Sequence, residues 1–170
     1  VKIPEISESN LPNGIKVVVV QRNSVPLVTV SLMLSSGANT ETKDGLADMT
    51  ASLLTKGTKT RSATGIAEQM EFLGSSINSG ANWNSTNVSF GATSDKLDKA
   101  LAIMSDVVMN PTFSSDEIKL YKSQVLDDLS VALKPPSRLA GYVAARYSFG
   151  EHSVQGTPET INAITQKDIL

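Results

Sequence analysis

The chain has no cysteine, and this absence excludes several kinds of site. None of its 170 residues can form a disulfide, bind a metal through a thiolate or act as a cysteine nucleophile. Histidine is nearly absent as well, since His152 is the single copy. One histidine cannot supply the two nitrogen ligands that many zinc sites take from histidine. A cysteine protease and a two-histidine zinc site are therefore excluded within this chain.

Strong charge and long apolar runs are also lacking. The 15 basic and 17 acidic residues leave a net charge of −2, which gives no electrostatic case for binding nucleic acid or an anionic membrane. No run approaches the roughly 18 apolar residues that a membrane-spanning helix needs. The glycines match neither a phosphate loop nor a dinucleotide fingerprint, and Ser153 does not stand in a Gly-x-Ser-x-Gly turn.

The residues that are present predict one domain of the α+β class. A hydrophobic content of 40% over 170 residues is enough to bury a core. After a polar lead-in at 6–10, apolar runs predict a buried strand over 15–21 and a second strand over 27–35. Two helices, a hairpin over 75–81 and 87–93, and further helices follow. This order predicts an antiparallel sheet covered on one side by helices.

Three serines and a proline pair mark where the later helices begin. Ser62, Ser94 and Ser114 are each placed to cap a helix, and the pair at 135–136 ends one helix and starts another. Helical spacing predicts that the apolar side chains of these helices point inward, among them Leu101, Leu139, Val143 and Tyr147.

The stretch 45–58 predicts the helix around which the rest is organised. Asp44 stands at the expected N-cap, and Gly57 is a plausible stop. Apolar residues fall on one face of this helix at helical spacing. The opposite stripe carries Asp48 and, three, four and seven residues after it, Ala51, Ser52 and Thr55, so that these side chains stack along one side.

This stretch reads Gly-Leu-Ala, six residues, then Leu-x-Lys-Gly-Thr, and it resembles the signature helix of the M16 metallopeptidases (pitrilysin, insulysin and mitochondrial processing peptidase). The opening Leu-Pro-Asn-Gly-Ile-Lys-Val, followed by Val-Pro-Leu-Val-Thr-Val, resembles the first two strands of the same family. The resemblance covers nearly the whole chain and implies a LuxS/MPP-like domain. It also implies that residues 1–170 are one N-terminal-type domain, a fragment lacking its last strand and a second homologous domain.

Active M16 enzymes carry an inverted zinc motif, His-x-x-Glu-His, on this helix. The resemblance places Asp48 and Ser52 at the two histidine positions and Ala51 at the position of the catalytic glutamate. It places Asp128, one methylene shorter than glutamate, at the third metal ligand. Asp48, Ser52 and Asp128 could weakly hold a hard cation, or they could form a hydrogen-bonded polar stripe, which we favour. Calcium usually takes six or more oxygens, and zinc prefers nitrogen and sulfur.

The resemblance thus implies a domain with no catalytic residue, no metal ligand and no cofactor of its own. It implies a non-catalytic half or subunit that forms part of a peptide-enclosing chamber and aids binding of an unfolded peptide. Zinc is expected only in a catalytic partner that carries His-x-x-Glu-His. Two alternatives stay open: a purely structural relative, like the core subunits of respiratory complex III, and a hydrolase that uses other residues. The compartment, periplasm or cytoplasm, also stays open.

Overall fold

The computed structural model describes residues 5–22, 24–132, 134–150 and 153–170. These residues form five strands and seven α-helices, joined by short turns. In chain order the elements are β1 (Ile6–Asn10), β2 (Lys16–Val20), β3 (Leu27–Leu34), α1 (Leu46–Leu53), α2 (Ala63–Phe72), β4 (Ile77–Ala81), β5 (Thr86–Thr93), α3 (Leu97–Met109), α4 (Ser115–Ala132), α5 (Pro136–Phe149), α6 (Pro158–Ala163) and α7 (Gln166–Ile169).

The main sheet is antiparallel, with β5 in the centre between β3 and β4. Alternate residues of β5 point to one face, so Val88, Phe90 and Ala92 are buried there. They pack against apolar residues of α2 and α3 in the larger core, including Ile66, Met70, Ile103, Met104 and Val107. The predicted α+β class and hairpin are therefore confirmed.

A second core joins α1 to the later helices. Met49 and Leu53 of α1 pack with Phe113, Ile118, Ile161 and Ile164. Leu54, just after α1, contacts both cores. The organising helix is thus fixed between the sheet on one side and α4 and α6 on the other. That position determines which of its side chains remain reachable.

The prediction for the first two strands is wrong in part. Residues 6–10 are not a polar lead-in but form β1, which pairs with β2 in a separate antiparallel ribbon. The valines of β2 are not buried either, since Val18 is 52% exposed. An apolar run shows that a strand can be buried, but burial of its faces also needs a second layer. Pairing with β1 covers only one edge of β2.

Two of the predicted helix starts are confirmed and one is wrong. The Ser62 hydroxyl accepts a hydrogen bond from the Gly65 amide at 3.0 Å, and the Ser114 hydroxyl accepts one from the Glu117 amide at 3.3 Å. Ser94 instead opens a 3₁₀ turn, and Lys96 is the N-cap of α3. A 3₁₀ turn thus precedes α3, and the N-cap of α3 lies two residues after the predicted one.

On α3 the predicted inward residue Leu101 is exposed, whereas Ala100 and Ile103 are buried. On α5 the predicted inward residues Leu139, Val143 and Tyr147 are all exposed. Helical spacing identifies a stripe, and only the packing of the helix decides whether that stripe faces a core.

No helix in the described part of the chain is long and apolar enough to cross a membrane.

Candidate functional site

The start of α1 requires a glycine. Gly45 is its N-cap, with a φ of +87°, where side-chain-bearing residues are strained. A Cβ on Gly45 would lie 2.8 Å from Cδ1 of Ile161 and 3.1 Å from the Cα of Gly156. The positive φ and this close approach to the loop before α6 together explain why the Gly-Leu-Ala motif begins with glycine.

The prediction that Asp44 caps α1 is wrong, since the N-cap is Gly45. The first turn of α1 is instead held by Glu41, whose carboxylate accepts hydrogen bonds from the amides of Gly45 at 3.0 Å and Ala47 at 2.7 Å. Asp44 accepts a hydrogen bond from the Ser153 amide at 2.9 Å, which ties the helix start to the loop before α6. A carboxylate at a helix N-terminus also complements the helix dipole.

Asp48 and Ser52 share a hydrogen-bond partner on α4. The Tyr121 hydroxyl oxygen lies 3.3 Å from Oδ2 of Asp48 and 3.2 Å from Oγ of Ser52. A phenol has one proton to donate, and a carboxylate can only accept. Tyr121 therefore donates to Asp48 and accepts the proton of Ser52, so that one phenol links two successive turns of α1 to α4.

Partial burial raises the pKa of both acidic groups of this cluster, the Asp48 carboxyl and the Tyr121 phenol. Loss of solvent raises the pKa of Asp48, although hydrogen bonds from the Ala81 backbone and from Tyr121 oppose this effect. Loss of solvent also raises the pKa of Tyr121, against a hydrogen bond from Ser52, and the nearby Asp48 charge raises it further. A phenol with a raised pKa remains protonated near neutral pH and cannot act as a base there.

Asp48 and Asp128 line one cleft. It has a volume of about 670 Å³ and lies between α1, α4 and α5. Tyr121, Val125 and Leu129 belong to the α4 wall. The structure therefore brings together two side chains that are 80 positions apart in the sequence.

The sequence matches one family over most of its length. A family model described as Insulinase (Peptidase family M16) matches residues 16–147. The chain belongs to this family.

Individual relatives agree with the M16 assignment. The chain is 24% identical over 155 residues to "Uncharacterized zinc protease YmxG" of Bacillus subtilis, covering 88% of this chain and 38% of that protein. It is 28% identical over 129 residues to bovine "Cytochrome b-c1 complex subunit 1, mitochondrial", covering 75% of this chain and 27% of that protein. This M16 chain thus spans well under half the length of these two relatives.

A solved structure shows the same fold. The crystal structure of a peptidase M16 inactive domain from Pseudomonas fluorescens superposes with a TM-score of 0.89 at 24% identity. The match covers 97% of this chain and 42% of that one. The fold predicted from the M16 resemblance is therefore confirmed.

The predicted glutamate position carries a buried methyl group in this M16 domain. Ala51 is 1% exposed, and its carbonyl accepts a hydrogen bond of 2.6 Å from the Ser79 hydroxyl on β4. A methyl group cannot take a proton from water, so this position supplies no general base. That Asp48, Ala51, Ser52 and Asp128 are the degenerate zinc-motif positions remains a prediction.

The side chains at this site do not fit zinc, which prefers nitrogen and sulfur ligands in a tetrahedron. Here the donors are two carboxylates and two neutral hydroxyl groups, and the hydroxyls of Ser52 and Tyr121 bond to each other. Across the described ranges, no three His, Cys, Asp or Glu side chains come together in a group that could hold a metal ion. No step of a reaction is therefore assigned to a metal at this site.

Sequence reasoning missed Tyr121. A signal was present, since Tyr121 lies seven residues before Asp128 and two helical turns place both on one side of α4. The single histidine, His152, and the side chain of Arg146 lie outside the described residues. Arg138 lines the cleft from α5. Trp83, the single tryptophan, is 39% exposed in the turn before β5.

Proposed function

We propose that this M16 domain belongs to the non-catalytic half of an M16-type peptidase. In that half it forms part of the wall of the peptide-enclosing chamber and helps to bind the substrate. The observation that carries the proposal is the Tyr121 hydroxyl between Asp48 and Ser52. The helix face that would present metal ligands is linked to α4 by hydrogen bonds, and Ala51 beside it is a buried methyl group.

The proposed partner is a catalytic M16 domain or subunit that carries His-x-x-Glu-His and its zinc ion. The proposed substrate is an unfolded peptide. A wall domain needs no ligands of its own, because enclosing a substrate and excluding water require only shape and contact. We further propose that residues 1–170 are one domain of a larger protein, with a sheet completed by a further strand and a second domain of like fold.

A second candidate is a purely structural role in a larger assembly. It is favoured by the 28% identity with bovine cytochrome b-c1 complex subunit 1. The third possibility, a hydrolase that uses other residues, has less support. The Ser52 hydroxyl is paired with the neutral phenol of Tyr121, which is a poor base for activating a nucleophile.

Where the complete protein carries no His-x-x-Glu-His motif outside residues 1–170, peptide cleavage by it, alone and mixed with a co-encoded protein that has this motif, tests the proposal. We expect no cleavage by this protein alone, no zinc in it by metal analysis, and faster cleavage by the mixture than by the catalytic protein alone. A catalytic protein whose motif glutamate is replaced by glutamine is the control, and its mixture should be inactive. Cleavage by this protein alone would refute the proposal, and no stimulation of the partner would favour the structural alternative.

A further inference from the structure

A groove lies between α2 and α3, apart from the cleft beside Asp48. It has a volume of about 420 Å³ and shares no lining residue with that cleft. Leu73 and Ile103 line this α2–α3 groove and are also members of the larger core, so they give it an apolar floor. Ala102 lines it as well and is exposed. The groove is therefore an apolar depression that opens to solvent.

An aromatic side chain projects beside this depression. Phe72, the last residue of α2, lines the groove and is 84% exposed. A ring in that position gains little from the core of its own domain, whereas buried aromatic side chains contribute much of the binding energy in protein interfaces. Met109 extends the apolar surface, since it lies seven residues after Ala102 on the same side of α3 and is 72% exposed.

The charged residues of the groove differ in whether they already have partners. Arg61 donates from Nη1 to Asp106 at 2.6 Å and from Nε to Gln69 at 2.9 Å, so its guanidinium group is held within the domain. Glu68 on α2 and Lys99 on α3 are exposed, and neither forms an ion pair among the described residues. The two walls of the groove therefore offer opposite charges to an incoming surface.

We propose that the α2–α3 groove binds a second copy of this chain in a two-fold symmetric dimer. A two-fold axis brings the same patch of two copies together, so the patch must be complementary to itself. Phe72 of one copy enters the groove of the other copy, and Glu68 of one copy meets Lys99 of the other. Because this surface shares no residue with the Asp48 cleft, the dimer is independent of the function proposed above.

The size of the two helices limits the strength of such a dimer. α2 has 10 residues and α3 has 13, which at 1.5 Å per residue gives lengths of about 15 Å and 20 Å. A face of this size buries less than the roughly 1,600 Å² of a standard interface. We therefore expect a weak, reversible dimer, in which loss of one anchoring side chain has a large effect.

Sedimentation velocity of the complete protein over a range of micromolar concentrations tests for this dimer. We expect the sedimentation coefficient to rise with concentration from that of a monomer to that of a dimer. Phe72→Ser should raise the dissociation constant at least about tenfold, because it removes the anchoring ring. The matched control is Tyr147→Ser on α5, which removes an aromatic side chain that is 89% exposed and lies outside the groove. We expect the control to dimerise like the unchanged protein.

Reversal of the two charges separates specific pairing from the general charge of the protein. Glu68→Lys and Lys99→Glu change the net charge in opposite directions, so an effect of net charge would strengthen the dimer in one variant and weaken it in the other. Specific pairing predicts that each single variant weakens the dimer and that the double variant restores it. All of the changed residues are exposed, and an unchanged thermal unfolding midpoint shows that each variant is folded.

A protein that is monomeric at every concentration would overturn the proposal. A dimer that is weakened equally by Phe72→Ser and Tyr147→Ser would also overturn it, because the groove would then have no special role. The same holds for a dimer that the double charge reversal fails to restore.

Discussion

Replacing Tyr121 with phenylalanine tests whether its hydroxyl links α1 to α4. The change removes a single oxygen and keeps the ring that lines the cleft. Two contacts disappear, one to the Asp48 carboxylate at 3.3 Å and one to the Ser52 hydroxyl at 3.2 Å. Nothing else in the packing needs to move, so the measured change reports the hydroxyl itself.

The expected loss follows from the nature and the exposure of the two bonds. A hydrogen bond to a charged group contributes about 1.5–3 kcal/mol, and one between neutral groups about 0.5–1.5 kcal/mol. Both bonds are long and only partly buried, and the cleft lets water replace the lost oxygen. We therefore expect Tyr121→Phe to lower the free energy of unfolding by about 1.5 kcal/mol, well below the sum of the two upper limits.

Urea unfolding at neutral pH measures this difference, with thermal unfolding as a second readout. At this chain length, 1 kcal/mol corresponds to roughly 2–4 °C in Tm, so the midpoint should fall by about 3–6 °C. The control is Tyr142→Phe, because the Tyr142 hydroxyl makes an exposed hydrogen bond of 2.8 Å to Oε1 of Gln155. We expect that variant to lose about 0.5 kcal/mol or less.

The coupling to Ser52 gives an independent check. Ser52→Ala and Tyr121→Phe share one hydrogen bond, so the double variant should lose less than the sum of the single losses, by about 0.5–1 kcal/mol. The reasoning is refuted if Tyr121→Phe destabilises no more than Tyr142→Phe, or if the effects of the Ser52 and Tyr121 changes are additive.

Two further predictions concern the metal positions and acid stability. We expect one zinc ion per chain, measured by metal analysis, in a folded variant that restores the ligands and clears the phenol from them, with the substitutions Asp48→His, Ala51→Glu, Ser52→His, Asp128→Glu and Tyr121→Ala. A folded variant without zinc would show that the helices are wrongly aligned with the family motif. Asp106 accepts hydrogen bonds from Thr58 first of all, and also from Asn110 and Arg61, which lower its pKa to about 2. Its contribution is therefore fully present above about pH 4 and is lost as the pH falls toward about 2. Unfolding measured across this range should show a weaker acid dependence for Asp106→Asn, and equal dependence would contradict the assignment.

The sequence alone determined the features that depend on neighbouring residues. A helix start at Ser62 needs only a hydroxyl near the amide of Gly65, three positions away. The spacing of Met49 and Leu53 likewise identified the buried face of α1. The sequence also shows directly that neither position 48 nor position 52, the predicted histidine positions of the motif, carries a histidine.

Tertiary structure alone decided which of these faces are buried, and it alone brought the Tyr121 hydroxyl to Asp48 and Ser52. Tyr121 meets Asp48 across 73 positions of sequence, and no local pattern encodes that contact. The same limit explains why β2 looks buried by its valines but is half exposed. Periodicity describes the surface that an element offers, whereas burial and hydrogen bonding depend on the partner that the rest of the chain brings to it.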